Sequence, residues 1–532
     1  MDASETSFSR RRFVQAMGLG AVALGAGTAL AGCSSGAGTT ASGSATAGAS
    51  PAGSPRKGGS LRVGLGAGAP TETLDPHKMA VYPDWAHGFM LYNLLTYPDP
   101  TTYELQNHLA EEITSNATGD QWTVRLKSGV EFHDGKTLDA DDLIFSVKRI
   151  LDGYPAPSLY FIDPAGMKKL DSTTVQFNLA KPYSVFPEAF GGSQQWIVSV
   201  GFDPAKPVGT GPFKLADFKP GDRATFVANP NYWGEGPYVD EVITIDINDD
   251  TARVNALLGG QIDVLQGVPF DQVATLKGNP ALKVMSAETV AWQPIVMAID
   301  QAPFDDAKVR QAMRLIAQRA QLVAQAYLGN GVVANDLFQQ FDPVYIGGSL
   351  PQRDQNIEQA KQLLADAGQS NLTAEMVVSN ISPGVVAGAQ AFAEQAKLAG
   401  VTLNLKVVEP GDFYGPNYLS YPLTVDLNIS TCSYLTTCAL WTGPNAPYDS
   451  THMQTDPEYV KLYYQASETM DPKQRASVEA QMQQIEYDRG GYINYGWANV
   501  MDAFAANVTG FVPDKMGWPL TSFGFNRVWF TG

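Results

Sequence analysis

Hydrophobic and polar residues alternate in several short stretches of the chain, and such alternation predicts half-buried β-strands. These stretches are residues 59–65, 121–126 and 241–247. A second pattern begins with a strand at 374–379, continues with an apolar helical segment at 385–399 and ends with a strand at 401–408. A strand–helix–strand order of this length predicts a parallel pair of strands, and it assigns the chain to the α/β class.

Helical periodicity is clearest in two other segments. After Asp139, apolar residues at 143, 144, 147 and 150 recur with the spacing of one helix face. Further along, six apolar residues follow each other at alternating steps of four and three. They are Val309, Met313, Ile316, Ala320, Val323 and Tyr327. The pattern predicts one long core-facing helix that ends at Gly329.

The size and composition of the chain indicate a large, well-folded protein. With 532 residues it is too long for one hydrophobic core, which predicts two or more domains. Hydrophobic residues make up 44% and charged residues 17%, which is typical of a globular chain. The formal net charge of −18 excludes sequence-independent binding to nucleic acid, because that binding depends on clustered positive charge.

The first 57 residues have the composition of an export signal followed by a tether. Residues 9–15 (SRRRFVQ) resemble the twin-arginine signal, and an apolar Gly/Ala-rich run leads to Cys33 in Leu-Ala-Gly-Cys, which resembles a bacterial lipobox. The resemblance implies a signal at 1–32, lipid attachment at Cys33 and a flexible Ser/Gly/Ala tether at 33–57. The alternative is that the apolar run remains as an uncleaved anchor.

The segment VEFHDGKTLDADD, residues 130–142, has the residue types of an acid–base or metal site. However, Asp134-Gly135 is typical of a tight turn, and Asp139, Asp141 and Asp142 have the positions of helix-capping residues. Only His133 is left without a local structural role. We therefore predict that the segment is a turn between a strand and a helix.

No other motif predicts a reaction centre, a metal site or a cofactor. The five histidines lack the spacing of metal-binding pairs, and no Gly-x-Ser-x-Gly elbow occurs. Residues 208–213 (VGTGPF) differ from a phosphate loop because Pro212 lacks a backbone donor and a strand follows. We therefore predict no catalytic residue, no metal and no cofactor.

Several sequence blocks, in this order, resemble the family 5 extracellular solute-binding proteins, which are the peptide- and nickel-binding lipoproteins of ABC importers. The blocks are LDPH (74–77), WTVRLKSGVEFHDGKTLDADDLIFSVKR (122–149), VGTGPFKL (208–215), NPNYW (229–233), GGQIDVL (259–265), PFDDAKVRQAM (303–313) and AKQLLADAG (360–368). They cover nearly all of the chain after the tether.

This resemblance implies a two-lobe, periplasmic-binding-protein-like fold with an inserted subdomain and a ligand cleft between the lobes. Lobe one combines residues 58–90, 205–285 and 495–532, the inserted subdomain covers 91–204, and lobe two covers 286–494. The lobes are expected to close around a small solute by a hinge motion.

The resemblance also points to a region of ligand contact. In peptide-binding members a lobe-two aspartate pairs with the α-amino group of the peptide, but Tyr434 occupies that position here. On the lobe-one side, Ala80 and Tyr82 lie where a glutamate often stands. Asp426 or Asp449 could supply the missing carboxylate. We therefore expect unmodified short peptides to bind poorly.

The predicted ligand contacts are aromatic, because aromatic faces bind sugars, ring compounds, apolar side chains and cations. They are Tyr82, Trp85, Trp292, Tyr434, Trp441 and Trp497. The alternative is that each of these rings belongs to the core. Cys432 and Cys438, the cysteines other than Cys33, are expected to form a disulfide in an exported protein, the alternative being two buried thiols.

Three functions fit these observations. The first is a monomeric binding subunit, lipid-anchored at the outer face of the cell membrane, that delivers a peptide-like or other small organic solute to an ABC permease without catalysis. The second is a secreted hydrolase, for which no paired nucleophile and base is apparent. The third is a surface receptor that senses a solute. The sequence does not separate the importer from the sensor.

Overall fold

The computed structural model describes residues 54–153, 157–192, 194–428 and 432–531. The predicted signal at 1–32, the lipidation site Cys33 and most of the predicted tether lie outside the described residues. Among those residues, no helix has the length and apolar character needed to cross a membrane.

Twenty-two strands and twelve right-handed α-helices occur in the described residues, together with a short element of left-handed backbone at Pro519–Phe523. The strands are β1 Ser60–Leu65, β2 Thr96–Pro98, β3 Leu105–Asn107, β4 Ala110–Ser115, β5 Gln121–Leu126, β6 Ile162–Lys169, β7 Thr174–Leu179, β8 Phe213–Lys219, β9 Arg223–Ala228, β10 Glu241–Asp246, β11 Val264–Leu265, β12 Leu282–Ala287, β13 Ile295–Met297, β14 Gly331–Val333, β15 Thr373–Ser379, β16 Thr402–Val408, β17 Leu423–Val425, β18 Tyr492–Ile493, β19 Gly496–Ala498, β20 Val500–Ala505, β21 Val508–Thr509 and β22 Trp529–Phe530. The helices are α1 Tyr82–Leu91, α2 Ala140–Gly153, α3 Asp250–Leu258, α4 Val273–Lys277, α5 Ala307–Ile316, α6 Arg319–Ala326, α7 Ile357–Asp366, α8 Val385–Lys397, α9 Pro410–Phe413, α10 Tyr434–Trp441, α11 Pro457–Glu468 and α12 Pro472–Arg489.

The largest sheet has seven strands in the order β12–β20–β11–β1–β10–β9–β8. Strand β1 lies at its centre and pairs in parallel with β10 and β11, with Ser60 opposite Glu241. The strands predicted from alternation at 59–65 and 241–247 are confirmed as β1 and β10. Three separate chain segments contribute to this one sheet. Each of these three segments begins within residues that were assigned above to lobe one. The boundaries of lobe one remain a prediction.

A second sheet of five strands has the order β16–β15–β17–β13–β18. Its strands β15 and β16 pair in parallel and are connected by helix α8, which confirms the predicted strand–helix–strand unit. A third sheet of four antiparallel strands, β4–β5–β7–β6, lies between residues 110 and 179 and includes the predicted strand at 121–126. The α/β class is therefore confirmed.

The long helix predicted over 309–327 is wrong, because two helices, α5 and α6, occupy this segment. Ala317 and Gln318 have extended backbone (ψ 111° and 87°), and the Gln318 side chain caps α6 by accepting a hydrogen bond from the Gln321 amide. The apolar residues of the predicted stripe are buried in both helices, but Ala320 is exposed. The Gln318 side-chain cap therefore divides the predicted helix in the middle of its apolar pattern.

The largest hydrophobic cluster of the described residues spans more than one of the segments named above. One continuous cluster joins rings of the 91–204 segment, such as Trp122 and Phe186, to rings of the 286–494 segment, such as Tyr434 and Tyr459. Backbone contacts reinforce this packing, since the Ser184 amide donates to the Ser467 carbonyl at 2.7 Å. The inserted segment thus packs against the 286–494 segment.

Candidate functional site

The segment 130–142 is a structural turn, as predicted. Gly135 has a left-handed φ of +89°, and its amide donates to the Phe132 carbonyl at 2.9 Å. Asp139 Oδ1 accepts hydrogen bonds from the amides of Asp141 and Asp142 at 2.9 and 3.2 Å, which caps helix α2. The carboxylates that resembled a reaction centre therefore satisfy backbone amides.

His133 holds this turn against the 208–215 block. Its amide donates to the Gly209 carbonyl at 2.8 Å, and its Nε2 lies 3.0 Å from the Gly211 carbonyl oxygen. Lys214 Nζ donates to the His133 carbonyl at 2.7 Å. Burial lowers the pKa of His133 to about 4, so its imidazole is neutral near pH 7. The residue connects two sequence blocks and has no free catalytic group.

Other sequence blocks are also structural. Arg149 Nη2 donates to Asp75 Oδ2 at 2.6 Å, which joins the LDPH block to the end of helix α2. His77 Nε2 lies 2.9 Å from the Trp196 carbonyl oxygen. In the 286–494 segment, buried Arg314 donates to four backbone carbonyls, those of Glu486, Tyr487, Gly490 and Tyr492. These charged side chains satisfy internal acceptors and leave no group for a ligand.

Two of the predicted aromatic contacts, Tyr82 and Trp85, lie on helix α1. Their ring centroids are 6.0 Å apart in an edge-to-face arrangement, and Trp85 also contacts Trp518 at 4.9 Å. Tyr82 keeps partial exposure, whereas Trp85 is buried and its indole N–H has no hydrogen-bond partner in the part of the chain that the structure describes. This pair belongs to a cluster with the seven-stranded sheet.

Two of the others stack on Phe338, and a third contacts one of those two rings. Trp292 lies parallel to Phe338 with centroids 5.2 Å apart, and Tyr434 stacks on the other side at 5.4 Å. Trp441 contacts the edge of Trp292 at 6.4 Å. Each of these predicted residues is less than 10% exposed. Packing of rings at these distances stabilises the core of this segment.

Trp497 lies on strand β19, and its backbone forms a bridge with Trp292. Its ring contacts Tyr345 edge-to-face at 6.2 Å, and its buried indole N–H has no partner among the described residues. The structure therefore brings four predicted residues, Trp292, Tyr434, Trp441 and Trp497, into one cluster and places Trp85 and Tyr82 in another. Their role in binding remains a prediction.

The Tyr434 side chain differs from the aspartate that it was predicted to replace in more than charge. Its hydroxyl interacts electrostatically with Cys438 and Glu486 in the interior of the 286–494 segment. There Tyr459 Oη donates to Glu486 Oε1 at 2.6 Å. Burial raises the pKa of Tyr434, which keeps the phenol neutral. The hydroxyl is thus directed to internal polar groups.

A carboxylate does occupy the start of helix α10, but it comes from a distant part of the chain. Asp342 Oδ2 accepts a hydrogen bond from the Tyr434 amide at 2.7 Å, and Oδ1 accepts one from Val344 at 3.0 Å. A negative charge is favoured at this position by the exposed amides of the helix N-terminus. Sequence analysis missed Asp342 because 92 residues separate it from Tyr434.

The two acids that the sequence offered as replacements are already engaged. Asp426 accepts from Tyr418 Oη at 3.0 Å and from the Leu427 amide at 2.8 Å. Asp449 accepts from Thr451 Oγ1 at 2.7 Å and from the Gln454 amide at 2.9 Å. Both carboxylates are buried. Neither presents a free oxygen edge to a ligand, so this suggestion is not supported.

Three parts of the chain meet close to helix α10. Tyr103 Oη donates to Gln339 Oε1 at 2.7 Å, and Gln339 Nε2 donates to the Ser433 carbonyl at 3.1 Å. Nearby, Tyr97 Oη lies 2.7 Å from Ser522 Oγ in the C-terminal segment. We call this meeting point the tyrosine junction, defined by Tyr97, Tyr103, Gln339, Ser433 and Ser522. Residues from the predicted subdomain and both predicted lobes contribute to it.

The predicted Cys432–Cys438 disulfide is wrong, because both cysteines are buried free thiols. Cys438 lies inside helix α10, and its Sγ lies 3.3 Å from Tyr459 Oη. Cys432 precedes the helix, and its Sγ lies against Gly191, where an added Cβ would come within 2.3 Å of the sulfur. The two sulfurs thus face different neighbours. Burial raises the pKa of both thiols.

The described residues contain no group of three or more His, Cys, Asp or Glu side chains that could hold a metal ion. The polar groups at the tyrosine junction are hydroxyls, a side-chain amide and a backbone carbonyl beside aromatic rings. This composition can bind an organic solute by hydrogen bonds and ring contacts.

Comparison with solved structures gives the same overall architecture. The structure superposes with a TM-score of 0.77 on the DppA periplasmic binding protein of Helicobacter pylori in complex with the peptide STSA, at 20% identity, covering 90% of this chain and 99% of that one. For the ABC transporter substrate-binding protein CtaP of Listeria monocytogenes, the TM-score is 0.79 at 21% identity, covering 90% and 100%. The two-lobe periplasmic-binding-protein fold is therefore confirmed.

Curated relatives include peptide- and haem-binding proteins. The glutathione-binding protein GsiB of Shigella dysenteriae is 28% identical over 283 residues, 50% of this chain and 54% of that protein. The chain thus matches about half the length of the glutathione-binding relatives. The dipeptide-binding protein of Escherichia coli K12 is 24% identical over 483 residues, 80% of this chain and 87% of that protein.

A family-level match covers the centre of the chain. Residues 104–426 match the bacterial extracellular solute-binding proteins, family 5, middle. This range includes the third sheet, most of the seven-stranded sheet and Gln339 of the tyrosine junction. Because it spans more than half of the 532 residues, the chain belongs to the family 5 bacterial extracellular solute-binding proteins.

Proposed function

We propose that the protein is an extracytoplasmic binding subunit that captures a peptide-like or other small organic solute and delivers it to the permease of an ABC importer, without catalysis. The observation that carries this proposal is the tyrosine junction, where three parts of a family 5 chain bring hydroxyl and amide groups together beside aromatic rings. The named binding functions of the dipeptide- and glutathione-binding relatives agree with it.

The binding cleft is proposed to lie between lobe one (58–90, 205–285 and 495–532) and lobe two (286–494), with the 91–204 subdomain closing one side. Tyr82 and Trp85 would contact the solute from lobe one, and Trp292, Tyr434, Trp441 and Trp497 from lobe two. The burial of these rings fits a closed arrangement, and opening of the cleft would expose them. A ring-bearing solute is expected to bind better than an unmodified short peptide.

The protein is further proposed to act as a monomer anchored at the outer face of the cell membrane through a lipid on Cys33. Changing Cys33→Ala should then release the protein from the membrane fraction into the medium. The matched control is Ser34→Ala, which leaves the lipobox cysteine in place. A Cys33→Ala variant that sediments with membranes like the wild type would contradict the anchor.

Native mass spectrometry of freshly purified protein tests the proposed function. The expected result is a mass in excess of the polypeptide, released on partial unfolding and identified as a small organic solute. Deletion of the genes for the proposed ABC permease should abolish uptake of that solute by cells. A protein that carries no solute and binds none from a metabolite extract would overturn the proposal.

A further inference from the structure

Glu188 lies at the contact between the subdomain and lobe two, close to the start of helix α10. It is the first residue of a short 3₁₀ turn, Glu188–Phe190, and it follows Ser184, whose backbone contacts α11 and α12. Three residues after this turn begins, Gly191 ends it against the Cys432 sulfur. Cys432, Asp342 and Arg475 all interact electrostatically with Glu188. Glu188 therefore lies near Asp342, whose carboxylate accepts the Tyr434 amide at the start of helix α10.

Three carboxylates share this region with one guanidinium group, and two of the carboxylates have partners. Asp342 accepts backbone amides at the start of α10, at 2.7 and 3.0 Å. Glu479 Oε1 lies 3.8 Å from Arg475 Nε, and Arg475 Nη1 donates to the Ser184 carbonyl at 2.9 Å. Arg475 is thus committed to Glu479 and to the backbone, and it does not ion-pair with Glu188.

The Glu188 carboxylate is the group left without a partner. Apart from its own backbone amide, it has no hydrogen bond or ion pair with any residue that the structure describes. The short segments of the folded body outside the described residues, 154–156, 193 and 429–431, contain no Lys, Arg or His. The folded body therefore offers no positively charged side chain to this carboxylate beyond the engaged Arg475.

Two further polar atoms near Glu188 are also unsatisfied. The Tyr183 hydroxyl and Glu479 Oε2 are buried, and neither has a hydrogen-bond partner in the described parts of the chain. Both side chains interact electrostatically with Glu188. Glu188 itself keeps part of its surface accessible, whereas Tyr183 and Glu479 are buried. Buried donors and acceptors without partners are costly to the fold, and a ligand that bonds to them removes that cost.

We propose that Glu188 pairs with a positively charged group of the bound solute, a primary amine or a guanidinium. An enclosed carboxylate is costly without a counter-charge, and a solute cation would supply one. The Tyr183 hydroxyl and Glu479 Oε2 would accept further N–H donors of the same group. Glu188 thus selects for charge, whereas the aromatic residues contact the rest of the solute. This inference rests on the proposed solute-binding function and specifies the class of solute.

The competing explanation is that Glu188 is simply protonated and needs no cation. Burial raises its pKa, with Arg475 acting in the opposite direction and Asp342 in the same direction. Under that explanation a neutral isostere would leave solute binding unchanged. A Glu188→Gln substitution separates the two cases because it keeps the shape and removes the charge.

The experiment measures binding to wild type, Glu188→Gln and the matched control Glu358→Gln, an exposed glutamate on helix α7. The probes are the co-purified solute and a panel of ring-bearing amines and guanidines, each amine paired with its uncharged N-acetyl form. Titration calorimetry gives the affinities. Wild type and Glu358→Gln should prefer the charged members, and Glu188→Gln should bind them at least about 30-fold more weakly.

The thermal stability of each unliganded variant is measured in parallel. Because Glu188→Gln removes an unpaired charge, its Tm should equal or exceed that of wild type, whereas a purely structural role would lower it. Equal binding of charged and acetylated probes, or unchanged affinity in Glu188→Gln, would overturn the assignment of Glu188 while the solute-binding function stands. A wild-type protein that binds no solute at all would overturn both.

Discussion

The contact between residues 130–142 and 208–214 differs from the contact around Glu188 and Asp342 in how its polar groups are used. In the first, His133, Asp139 and Lys214 all bond to backbone groups of the chain. In the second, the Tyr183 hydroxyl and the Glu188 carboxylate lack partners among the described residues. The segment that looked most like a reaction centre is therefore structural, and the unsatisfied groups lie in segments that carry no motif.

This difference has a physical origin. A saturated hydrogen-bond network stabilises the fold but offers nothing to a ligand, because each donor and acceptor is already used. An incomplete hydrogen-bond network lowers the stability of the fold, and a bound solute that supplies the missing hydrogen bonds stabilises it. Substitutions in the first contact should therefore change the free energy of unfolding, and substitutions in the second should change solute affinity.

The largest effect on stability is expected at Asp142. Its carboxylate accepts hydrogen bonds from the Asp139 amide at 3.0 Å and the Val200 amide at 2.8 Å, and it pairs with Lys136. Asp142→Ala removes these acceptors in a buried place and should lower the free energy of unfolding by about 2–4 kcal/mol. Urea unfolding measures this change, and solute affinity should remain as in wild type.

Asp141→Ala is the control for Asp142. Asp141 lies in the same helical turn, but its carboxylate is exposed and pairs with Lys169 at 2.7 Å. An exposed pair contributes about 0–1 kcal/mol. Equal destabilisation by the two variants would show that the buried network does not carry the stability of this contact.

The two contacts should respond to pH in opposite directions. Burial lowers the pKa of His133 to about 4, below the ordinary value of about 6.5, so its contribution to stability is full above about pH 6.5 and is lost as the pH falls to about 4. Burial raises the pKa of Glu479 to about 8, so its contribution is full below about pH 4 and is lost as the pH rises to about 8.

Urea unfolding over pH 4 to 9 measures this contrast. His133→Gln should flatten the acid side of the stability profile, and Glu479→Gln should flatten the alkaline side, each by at most about 1.4 kcal/mol per pH unit. If Glu479→Gln altered the acid side instead, the raised pKa of this buried carboxyl would be wrong.

A smaller effect is expected at the tyrosine junction. Tyr103→Phe removes the hydroxyl that donates to Gln339 Oε1, and it should weaken solute binding about fivefold, corresponding to about 1 kcal/mol for one hydrogen bond. Calorimetry with the co-purified solute measures the change. Tyr464→Phe, at a partly exposed ring on helix α11, is the control and should bind like wild type. An unaffected Tyr103→Phe variant would remove this hydroxyl from the binding site.

The smallest effect concerns the cysteines. Cys432 and Cys438 are free and buried, so a reducing agent should shift the Tm by less than about 1 °C. In the Cys33→Ala background, two thiols should react with a thiol reagent in the unfolded protein and none at an appreciable rate in the folded one. If neither thiol reacted in the unfolded, unreduced protein, the two cysteines would be bonded and the predicted disulfide would be right.

Much of the fold followed from local pattern. The strands at 60–65, 121–126 and 241–246 and the β15–α8–β16 unit agree with their predicted positions within one or two residues, because alternation and turn residues are local signals. The break between α5 and α6 was missed because the capping side chain of Gln318 interrupts an apolar period that by itself favours one helix.

The candidate site was less predictable, because it depends on contacts between distant residues. Asp342 reaches the Tyr434 amide across 92 residues, and Glu188 is brought near Asp342 and Arg475 by packing of the 91–204 segment on the 286–494 segment. Neither acid belongs to a motif. The aromatic residues were identified by their type. Trp292 and Tyr434 stack on Phe338, however, and Phe338 lies in the 331–342 segment, which belongs to none of the sequence blocks.

Hydrogen–deuterium exchange tests the central claim, that the solute completes the contact around Glu188 and leaves the signature turn unchanged. Exchange is compared between the protein with its co-purified solute and the same protein after the solute has been removed by partial unfolding and dialysis. Solute should protect backbone amides in peptides that cover 97–104, 183–192 and 432–441, and it should leave exchange in 130–142 and 208–214 unchanged. Protection concentrated in 130–142, with none at 183–192, would contradict the claim.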